Sequence, residues 1–384
     1  MRTIKELQRR LNLKNSFNSR YNIEQDDKIH LLYVSPVLNA TGYYRMIAPA
    51  LEINKTDTHK AIITSIETND FSENLSDFVN QLDERLIAWA DYIVFSSQFS
   101  DINYLIQAIK TLNPSVQLVM DVDRNYFAVP ISFPLSQKLT QEKLKCYESN
   151  LGLMDLVTVS NEGFQKFLQR FIDNRLANTN TFVQLIPSLI SRFGYEEMPP
   201  LIRNGSQKLR IGLIKPSEED LLSLKEVILK MNSSFKEKIQ FVCLGKPHSS
   251  MEIDLLLKEI DCELHNSVSF LDYFEKLNSL QLDVVLLPAK EGLYNRHQNS
   301  QLFLELSVFG IPVIASIHHP AKVFIKDSET GFIASEIPEW IEVVKLLISN
   351  QDLKQKISSS VIKMAWKNHS YSFKNRNNMT SIFI

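Results

Sequence analysis

The feature that most constrains this chain is a strand, loop, helix and strand unit in residues 283–316, DVVLLPAKEGLYNRHQNSQLFLELSVFGIPVIAS. Residues 283–288 are apolar, rich in valine and leucine, and ended by proline, which is typical of a buried parallel strand. A helical repeat of apolar residues follows, and Gly310 stands where a helix end favours a left-handed residue. Residues 312–315 form a second apolar run, so we predict two parallel strands joined by a right-handed crossover.

The loop before this helix and its first turn carry side chains suited to a phosphate ligand. Free backbone N–H groups at a helix N-terminus attract anions, and the loop after a parallel strand faces the ligand crevice of such folds. Glu305 lies further along the same helix, where its carboxylate can accept hydrogen bonds from ribose hydroxyls. The candidate ligand-binding residues before it are Asn295, Arg296, Gln298, Asn299 and Ser300.

This stretch resembles the donor-site signature of the GT-B glycosyltransferases, in particular the retaining family 4 type. That signature has an aromatic residue and an asparagine, two lysines, a glutamate and a Gly-x-Pro-Val-x-Ala-Ser run. Gln298 and Leu302 stand where the lysines are usual, and in another form of the signature a first glutamate would fall at His297. The matching residues are Tyr294, Asn295, Glu305, Gly310, Pro312, Val313, Ala315 and Ser316.

The resemblance implies an α/β fold of the GT-B architecture, with two Rossmann-like doubly wound domains that face a cleft. It implies transfer of a sugar from a UDP- or GDP-sugar to a glycan, lipid-linked or protein acceptor, with retention and without a metal or other cofactor. Glu305, His297 and Arg296 would be the catalytic candidates. The donor would be bound by Lys215, Lys246, Asn295, Gln298, Asn299, Ser300 and Glu305.

A protein of another class stays open as the alternative. Because both lysines and the first glutamate are replaced, a GT-B-shaped protein that binds a nucleotide, a glycan or a partner glycosyltransferase without catalysis would show the same pattern. Lys215 and Lys246 each follow a predicted strand of the second domain, where they would partly replace the missing positive charge.

Strands alternate with helical patterns along the rest of the chain, which predicts doubly wound parallel sheets. The predicted strands outside the central unit are 30–34, 60–64, 92–96, 117–121, 155–160, 182–187, 209–214, 239–245 and 268–270. The predicted helices are 102–112, 161–171, 221–231, 273–280, 338–349 and 353–373. A stretch rich in glycine, proline and polar residues predicts a linker at 193–208. We therefore divide the chain into a basic helical segment (1–28), a first domain (29–192), the linker, a second domain (209–364) and a C-terminal helix that crosses back (365–384).

The first domain carries the candidate acceptor residues. Gly42 is expected to take backbone angles that bring amides close to a ligand, and a surface turn before an ordinary helix is the competing interpretation. Asp121 and Asp123 form an Asp-x-Asp pair that a different, single-sheet glycosyltransferase fold uses for a divalent metal. We set that fold aside because a second complete series of strands and helices follows, and we expect no metal site. The acceptor candidates are Gly42, Tyr44, Arg45, Asp121 and Asp123.

Composition and charge exclude several other classes of protein. With 384 residues, 44% of them hydrophobic, the chain is long enough for two globular domains. A net charge of −2 gives no basis for binding nucleic acid. Three widely spaced cysteines fit neither a disulfide framework nor a zinc cluster. No apolar run approaches the roughly 18 residues of a membrane helix, and the first residues lack a signal-peptide core, so we expect a cytoplasmic protein.

Residues 1–20 are the local exception to this charge balance, because six of them are basic and one is acidic. Ile4, Leu7 and Leu11 recur at helical spacing, which predicts a basic amphipathic helix. Such a helix can lie on the inner face of a membrane, where lipid-linked acceptors are found. The competing interpretation is a solvated helix packed on the first domain, and we favour it because so short an apolar stripe binds lipid weakly.

Overall fold

Apolar runs form two parallel sheets in the computed structural model, which describes residues 2–12, 14–24, 26–67, 83–176, 179–195, 208–246 and 250–384. Neighbouring strands pair in parallel throughout both sheets. The first sheet has the order β2-β1-β3-β4-β5-β6, formed by β1 (Ile29–Tyr33), β2 (His59–Ile63), β3 (Tyr92–Ser96), β4 (Gln117–Val122), β5 (Leu156–Val159) and β6 (Phe182–Leu185). The second has the order β12-β11-β10-β7-β8-β9, formed by β7 (Leu209–Ile214), β8 (Ile239–Leu244), β9 (Glu263–His265), β10 (Val284–Leu287), β11 (Val313–Ser316) and β12 (Phe332–Ala334).

Helices connect the strands and cover the sheets. Those before β7 are α1 (Arg2–Arg10), α2 (Phe17–Arg20), α3 (Ala40–Gly42), α4 (Ala48–Ile53), α5 (Glu84–Trp89), α6 (Asn103–Leu112), α7 (Pro134–Lys138), α8 (Gln141–Leu151) and α9 (Glu162–Arg175). A π-helical turn, Tyr43–Ile47, joins α3 to α4. Those after β7 are α10 (Glu218–Ser223), α11 (Lys225–Phe235), α12 (Met251–Glu259), α13 (Phe270–Ser279), α14 (Leu293–Arg296), α15 (Gln301–Val308), α16 (Ile337–Ser349), α17 (Gln351–Asn368) and α18 (Phe373–Thr380). Short 3₁₀ turns lie at Tyr126–Ala128, Arg192–Gly194 and Pro320–Val323.

The chain divides into two units, each with its own sheet. The first unit comprises Met1–Phe127, Lys138–Glu197 and Tyr371–Ile384, and the second comprises Ala128–Gln137 and Met198–Ser370. In the second unit, β10 is buried along its whole length and Phe241, Met231 and Trp340 share one apolar core. Burial of each such side chain stabilises the fold by roughly 1.5 to 3 kcal/mol. The apolar runs therefore form strands because helices cover both faces of the sheet.

The C-terminal segment packs on the sheet of the first unit. His59 Nε2 lies 2.9 Å from the Phe383 carbonyl oxygen, and the Tyr92 hydroxyl donates to the Ile384 carbonyl at 2.8 Å. The guanidinium of Arg376 in α18 pairs with Glu52 at 3.2 Å. Residues 371–384 therefore belong with the first sheet, although they follow the second sheet in the chain.

The predicted α/β fold with two doubly wound parallel sheets is confirmed. Most predicted strands match within one or two residues, but the strand expected at 268–270 is wrong. The edge strand is instead Glu263–His265, whose alternating polar sequence gives no apolar run, and α13 begins at Phe270. The single helix expected at 221–231 is two helices, because Leu224 leaves helical angles with φ −99° and ψ 1°.

Two further sequence predictions concern where helices end. The helix predicted at 353–373 ends at Asn368, and a new helix starts after the cap Ser372. Gly310 has φ +63°, as its position at the end of α15 predicts.

Residues 196–207, most of the predicted linker 193–208, lie outside the described residues, so the domain limits stay predictions.

The N-terminal helix α1 turns its apolar face toward the first unit. Ile4, Leu7 and Leu11 are buried, whereas Arg9 and Arg10 are exposed. The apolar stripe is thus covered by protein, which agrees with the interpretation of a solvated helix packed on the first domain. In the ranges that the structure describes, no helix combines the length and apolar character needed to cross a bilayer.

Candidate functional site

The predicted donor site lies in the crossover between β10 and β11. These strands pair in parallel, with Val285 opposite Val313, so the loop after β10 and the turn after β11 leave the same edge of the sheet. The Ser316 hydroxyl donates to the Ala289 carbonyl at 2.9 Å and links the two connections. Asn295 Nδ2 donates to the Lys290 carbonyl at 2.9 Å, so the loop between β10 and α15 is folded and contains the short helix α14.

A side chain that precedes α15 caps the first turn of this helix. Asn299 Oδ1 accepts the Gln301 backbone N–H at 3.0 Å, and Ser300 is buried. Asn299 therefore stabilises the start of the helix, because one of the N–H groups without an intrahelical partner is satisfied by its amide oxygen. The amides of the next residues begin the N-terminal end of the helix dipole.

Gln301 and Glu305 bury polar groups on one face of α15. They are four residues apart in a helix and thus lie one turn from each other on the same face. Gln301 is 7% exposed and Glu305 is 4% exposed. Among the residues that the structure describes, neither the amide nitrogen nor the amide oxygen of Gln301 has a hydrogen-bond partner. Because a buried amide without partners is costly, this position favours a polar ligand that supplies both an acceptor and a donor.

His297 stands where one form of the signature has its first glutamate, and its environment keeps it neutral. The side chain is buried, at 5% exposure. Burial, and to a smaller degree the neighbouring Arg296 guanidinium, lowers the pKa of His297 from 6.5 to about 4. A neutral imidazole offers one donor and one acceptor but no charge at neutral pH. It therefore cannot replace the negative charge of a carboxylate at this position.

The neutral state of His297 predicts a pH dependence of stability. Between pH 6.5 and pH 4 the unfolded chain binds a proton at this residue that the folded chain does not bind, so stability falls as the pH falls through that window. The free energy of unfolding of the parent is expected to drop by about 1 to 2 kcal/mol more than that of His297→Gln between pH 7 and pH 4.5. Urea titrations at each pH measure this difference. His318→Gln, at an exposed histidine, is the control and should follow the parent; parallel curves for the parent and His297→Gln would contradict the prediction.

The predicted lysines lie at the carboxyl edge of the second sheet, but each is engaged. Lys215 follows β7, which pairs directly with β10, and its ammonium lies 4.2 Å from the ring centroid of Tyr273. Lys215 also has φ +45°, a left-handed conformation that residues other than glycine seldom adopt. Lys246 follows β8 and forms an ion pair with Asp254 in α12. The charge that they offer to a ligand is therefore shared with neighbouring groups.

The predicted acceptor residues of the first unit form a buried ion pair. Arg45 Nε and Nη2 donate to the two carboxylate oxygens of Asp121 at 2.9 and 2.6 Å. Arg45 Nη1 donates to the Ile186 carbonyl at 2.7 Å, and the Thr158 hydroxyl donates to Asp121 at 2.6 Å. Both charged side chains are buried. The pair thus joins the π-helical turn after β1 to β4, β5 and the end of β6.

The Asp123 carboxylate also accepts hydrogen bonds from neighbouring side chains. Its carboxylate accepts from Arg124 at 2.8 Å, from the Tyr126 hydroxyl at 2.6 Å and from the Thr41 hydroxyl at 3.0 Å. Burial alone would raise the pKa of Asp123, yet the Arg124 charge and these hydrogen bonds lower it below its ordinary value. The two carboxylates of the Asp-x-Asp pair therefore neutralise arginines of the first unit.

Gly42 and Tyr44 are placed by packing. Gly42 has ordinary helical angles, φ −62° and ψ −35°, so its backbone conformation does not itself require glycine. A Cβ atom here would lie 1.9 Å from the Val37 carbonyl oxygen, and this close approach of two backbone segments is what requires glycine. The Tyr44 hydroxyl lies 3.0 Å from that of Tyr195, and Tyr44 is buried.

Two residues of the crossover were missed by the sequence analysis. Gln301 carried an available signal, because it lies four residues before Glu305 on a predicted helix. Lys290 follows β10 and pairs with Glu219 in α10 at 3.3 Å. Nothing in the sequence indicates that Glu219 would reach it, since the pairing depends on the adjacency of β7 and β10.

Comparison with known proteins identifies the fold. No protein-family model matches the chain, and neither does any curated protein. Solved structures match along almost its whole length. Sucrose-phosphate synthase from Thermosynechococcus elongatus is 12% identical with a TM-score of 0.61, covering 93% of this chain and 98% of that one. A glycosyltransferase from Rickettsia africae ESF-5 is 15% identical with a TM-score of 0.57 and coverages of 93% and 98%. HepE from Anabaena, solved in complex with UDP-glucose, is 11% identical with a TM-score of 0.59 and coverages of 92% and 99%.

These identities are too low to carry an activity from one protein to another, but they define the architecture. The chain, with its two six-stranded parallel sheets, matches glycosyltransferases of the GT-B fold over more than nine-tenths of each chain. The predicted GT-B fold class is confirmed.

Proposed function

We propose that this protein is a glycosyltransferase that moves a sugar from a nucleotide sugar to a glycan, lipid-linked or protein acceptor. The observation that carries the proposal is the face of α15 on which Gln301 and Glu305 are buried. This helix begins after the loop and the short helix α14 that follow β10 in the second sheet. A helix N-terminus favours a phosphate, and a carboxylate one turn deeper suits ribose hydroxyls.

The donor would be held by groups of the crossover that differ in chemistry. Glu305 would accept from the ribose, and Gln301 would donate its amide N–H to a phosphate or sugar oxygen while its carbonyl accepts from a hydroxyl. Asn295, Gln298 and Ser300 supply further polar groups around them, with Arg296 exposed beside them. Lys215 would neutralise part of the diphosphate charge, because it leaves the strand next to β10.

The proposed chemistry needs no metal. When the sugar leaves, negative charge grows on the diphosphate, and helix amides together with Lys215 and Arg296 would stabilise that charge in a prearranged site. His297 is neutral at physiological pH, so it would serve as a hydrogen-bonding group and not as a carboxylate base. We propose retention of configuration, as in the family 4 enzymes that the signature resembles.

The choice of donor to test first follows from related structures. HepE has been solved with UDP-glucose, and the pneumococcal O-GlcNAc transferase GtfA with UDP and GlcNAc. We therefore propose a UDP-sugar as the first candidate donor and a GDP-sugar as the second. UDP, GDP, UDP-glucose and GDP-mannose are the probes for a thermal-shift screen, where a ligand at a hundred times its Kd should add about 2.7 kcal/mol.

Replacing Glu305 by glutamine is expected to weaken binding of the nucleotide identified in this screen by about 1.5 to 3 kcal/mol, the worth of hydrogen bonds to a charged group. Glutamine keeps the length and the helix propensity of the side chain, so the change tests the carboxylate as an acceptor. Isothermal titration measures the affinity. The melting temperature without nucleotide shows whether the variant is folded.

Glu275→Gln is the matched control, because Glu275 is exposed in α13 of the same unit. It should bind nucleotide as the parent does. If Glu305→Gln binds as tightly as Glu275→Gln, the ribose contact does not exist and the proposed donor site is wrong.

A second candidate function is nucleotide or glycan binding without transfer. Two observations favour it: Gln298 and Leu302 stand where lysines are usual, and Lys246 is paired with Asp254. Hydrolysis or transfer assays with each nucleotide sugar that binds separate the two candidates. Turnover that persists in a chelator supports the metal-independent enzyme. Turnover that vanishes in a chelator and returns with manganese contradicts metal independence, and tight binding with no turnover on any acceptor favours the non-catalytic protein.

A further inference from the structure

A cavity of about 160 Å³ lies in the first unit, between the N-terminal helices and the edge of the first sheet. The N-terminal segment contributes Leu7 in α1, Leu11 after it and Arg20 in α2 to its wall, and β2 contributes residues 60–63. A single water needs only about 15 Å³, so the cavity has room for a small polyatomic group. None of the residues proposed to bind the donor or the acceptor lines it.

The walls of this N-terminal pocket are held in place on both sides. On one side, Tyr21 is buried and its hydroxyl donates to the Thr64 carbonyl at 2.5 Å. On the other, the Asn54 amide both donates to and accepts from the backbone of Ala61, at 2.8 Å in each bond. Asn54 thus satisfies the backbone N–H and C=O of Ala61 on the free edge of β2. The pocket is therefore built into the fold of the first unit.

Three cationic side chains line the pocket. Arg20 Nε is buried and has no hydrogen-bond partner among the described residues, and its Nη1 reaches only the Tyr21 hydroxyl at 3.4 Å. Arg10 forms no ion pair within the ranges that the structure describes. The third, Lys60, lies 3.2 Å from Glu24, so its charge is partly balanced.

We propose that the N-terminal pocket binds a phosphate group through Arg10, Arg20 and Lys60. A guanidinium presents parallel N–H donors that match the spacing of phosphate oxygens, and an ammonium adds a third donor direction. The buried Nε–H of Arg20 lacks an acceptor, which a phosphate oxygen would provide. The apolar side chains of Leu7 and Leu11 limit the space around the group, so a compact anion fits better than an extended acidic chain.

Two sources supply such a phosphate group: a soluble phosphate compound and the headgroup of a membrane lipid. Charge supports the second source, because Lys5 and Arg9 are exposed on the same helix as Arg10 and would face an anionic surface. Inorganic phosphate and vesicles of phosphatidylcholine with phosphatidic acid are the two probes. Both are applied to the full chain at constant ionic strength, since exposed charges are screened by salt.

Arg20→Gln and Arg10→Gln test the pocket, and Arg9→Gln is the matched control, because it removes the same charge from α1 outside the pocket. Inorganic phosphate is expected to bind the parent and Arg9→Gln equally, and to bind Arg20→Gln roughly tenfold or more weakly. A general stabilisation by phosphate salts would affect all variants alike. Arg20→Lys, which keeps the charge without the Nε–H, should give an intermediate affinity. If Arg20→Gln does not fold, the exposed Arg10→Gln carries the test.

The vesicle arm identifies the source. Binding to phosphatidic acid vesicles that is lost in Arg10→Gln and retained in Arg9→Gln supports a lipid headgroup. Binding of inorganic phosphate without vesicle binding supports a soluble phosphate compound. The proposal is overturned if neither probe binds the parent, or if Arg9→Gln loses as much affinity as the two pocket variants, since a diffuse charge effect would then explain the binding. Neither the phosphate measurement nor the vesicle measurement depends on nucleotide binding at α15, so these outcomes are independent of the proposed transferase activity.

Discussion

Replacing Asp121 by asparagine is expected to lower the free energy of unfolding of the first unit by about 3 to 5 kcal/mol. The Asp121 carboxylate receives two hydrogen bonds from Arg45 and one from Thr158, and it is 5% exposed. Asparagine keeps the shape but removes the charge, and its NH₂ group would face donors in place of an acceptor. The Arg45 guanidinium would then remain buried without its counter-charge, which accounts for the size of the effect.

The measurement must resolve the first unit from the second, because two-unit proteins need not unfold in one step. Hydrogen exchange of peptides from β1 and β4 reports the opening free energy of the first unit directly. Asp57→Asn, at an exposed aspartate of the same unit, is the control and should change stability by no more than about 0.5 kcal/mol. The double variant Arg45→Met with Asp121→Leu should recover much of the loss, since apolar side chains can replace a buried ion pair. If Asp121→Asn proves as mild as Asp57→Asn, the ion pair does not stabilise the unit.

Gly42→Ala is expected to destabilise the first unit by about 3 kcal/mol or more, although alanine is the better helix former by about 1 kcal/mol. The added Cβ would lie 1.9 Å from the Val37 carbonyl oxygen and 2.9 Å from its carbonyl carbon. Val37 has little freedom to move, because the Leu38 N–H donates to the Glu67 carbonyl at 2.7 Å. The steric cost should therefore exceed the gain in helix propensity, and the sign of the effect is the test.

Gly292→Ala is the matched control for this change. Gly292 has extended backbone, and a Cβ there would meet nothing within 4 Å. Its substitution is expected to be neutral within about 0.5 kcal/mol. Exchange protection of β1 should fall in Gly42→Ala, whereas exchange protection of β10, which lies in the same unit as Gly292, should stay at the parent level in Gly292→Ala. A stabilised Gly42→Ala would mean that propensity outweighs the contact with Val37 and that the loop can yield.

Much of the fold can be read from local sequence signals. A strand buried between two helical layers must be apolar along its whole length, so runs such as Val284–Leu287 are visible without any partner. Helix ends are equally local. Ser217 and Asp220 close a capping box at 3.0 Å in both directions, as their spacing predicts, and Gly310 takes a left-handed conformation.

The sequence-based predictions are wrong where an element of the fold has no signal in its own local sequence. Glu263–His265 is an edge strand with alternating polar residues, so it lacks the apolar run that marks its neighbours. Leu224 interrupts a continuous apolar repeat without glycine or proline, and no local signal separates α10 from α11. The sequence shows a glycine at position 42, but it does not show why glycine is required there. The clash of a Cβ atom with Val37 depends on how the loop after β1 folds back.

By itself the sequence determined the parallel α/β architecture, the crossover that carries Glu305, and the basic character of the N-terminal helices, since each follows from the order and period of neighbouring residues. Only the tertiary structure decided which charges meet. Arg45 and Asp121 are 76 residues apart, and folding brings them together as a buried ion pair. Folding also covers the apolar face of α1 and encloses Arg20 beside β2, and it leaves the side-chain amide of Gln301 buried without a hydrogen-bond partner among the described residues. These features arise where segments that are distant in the sequence pack together, and the pattern of neighbouring residues does not show which distant segments will meet.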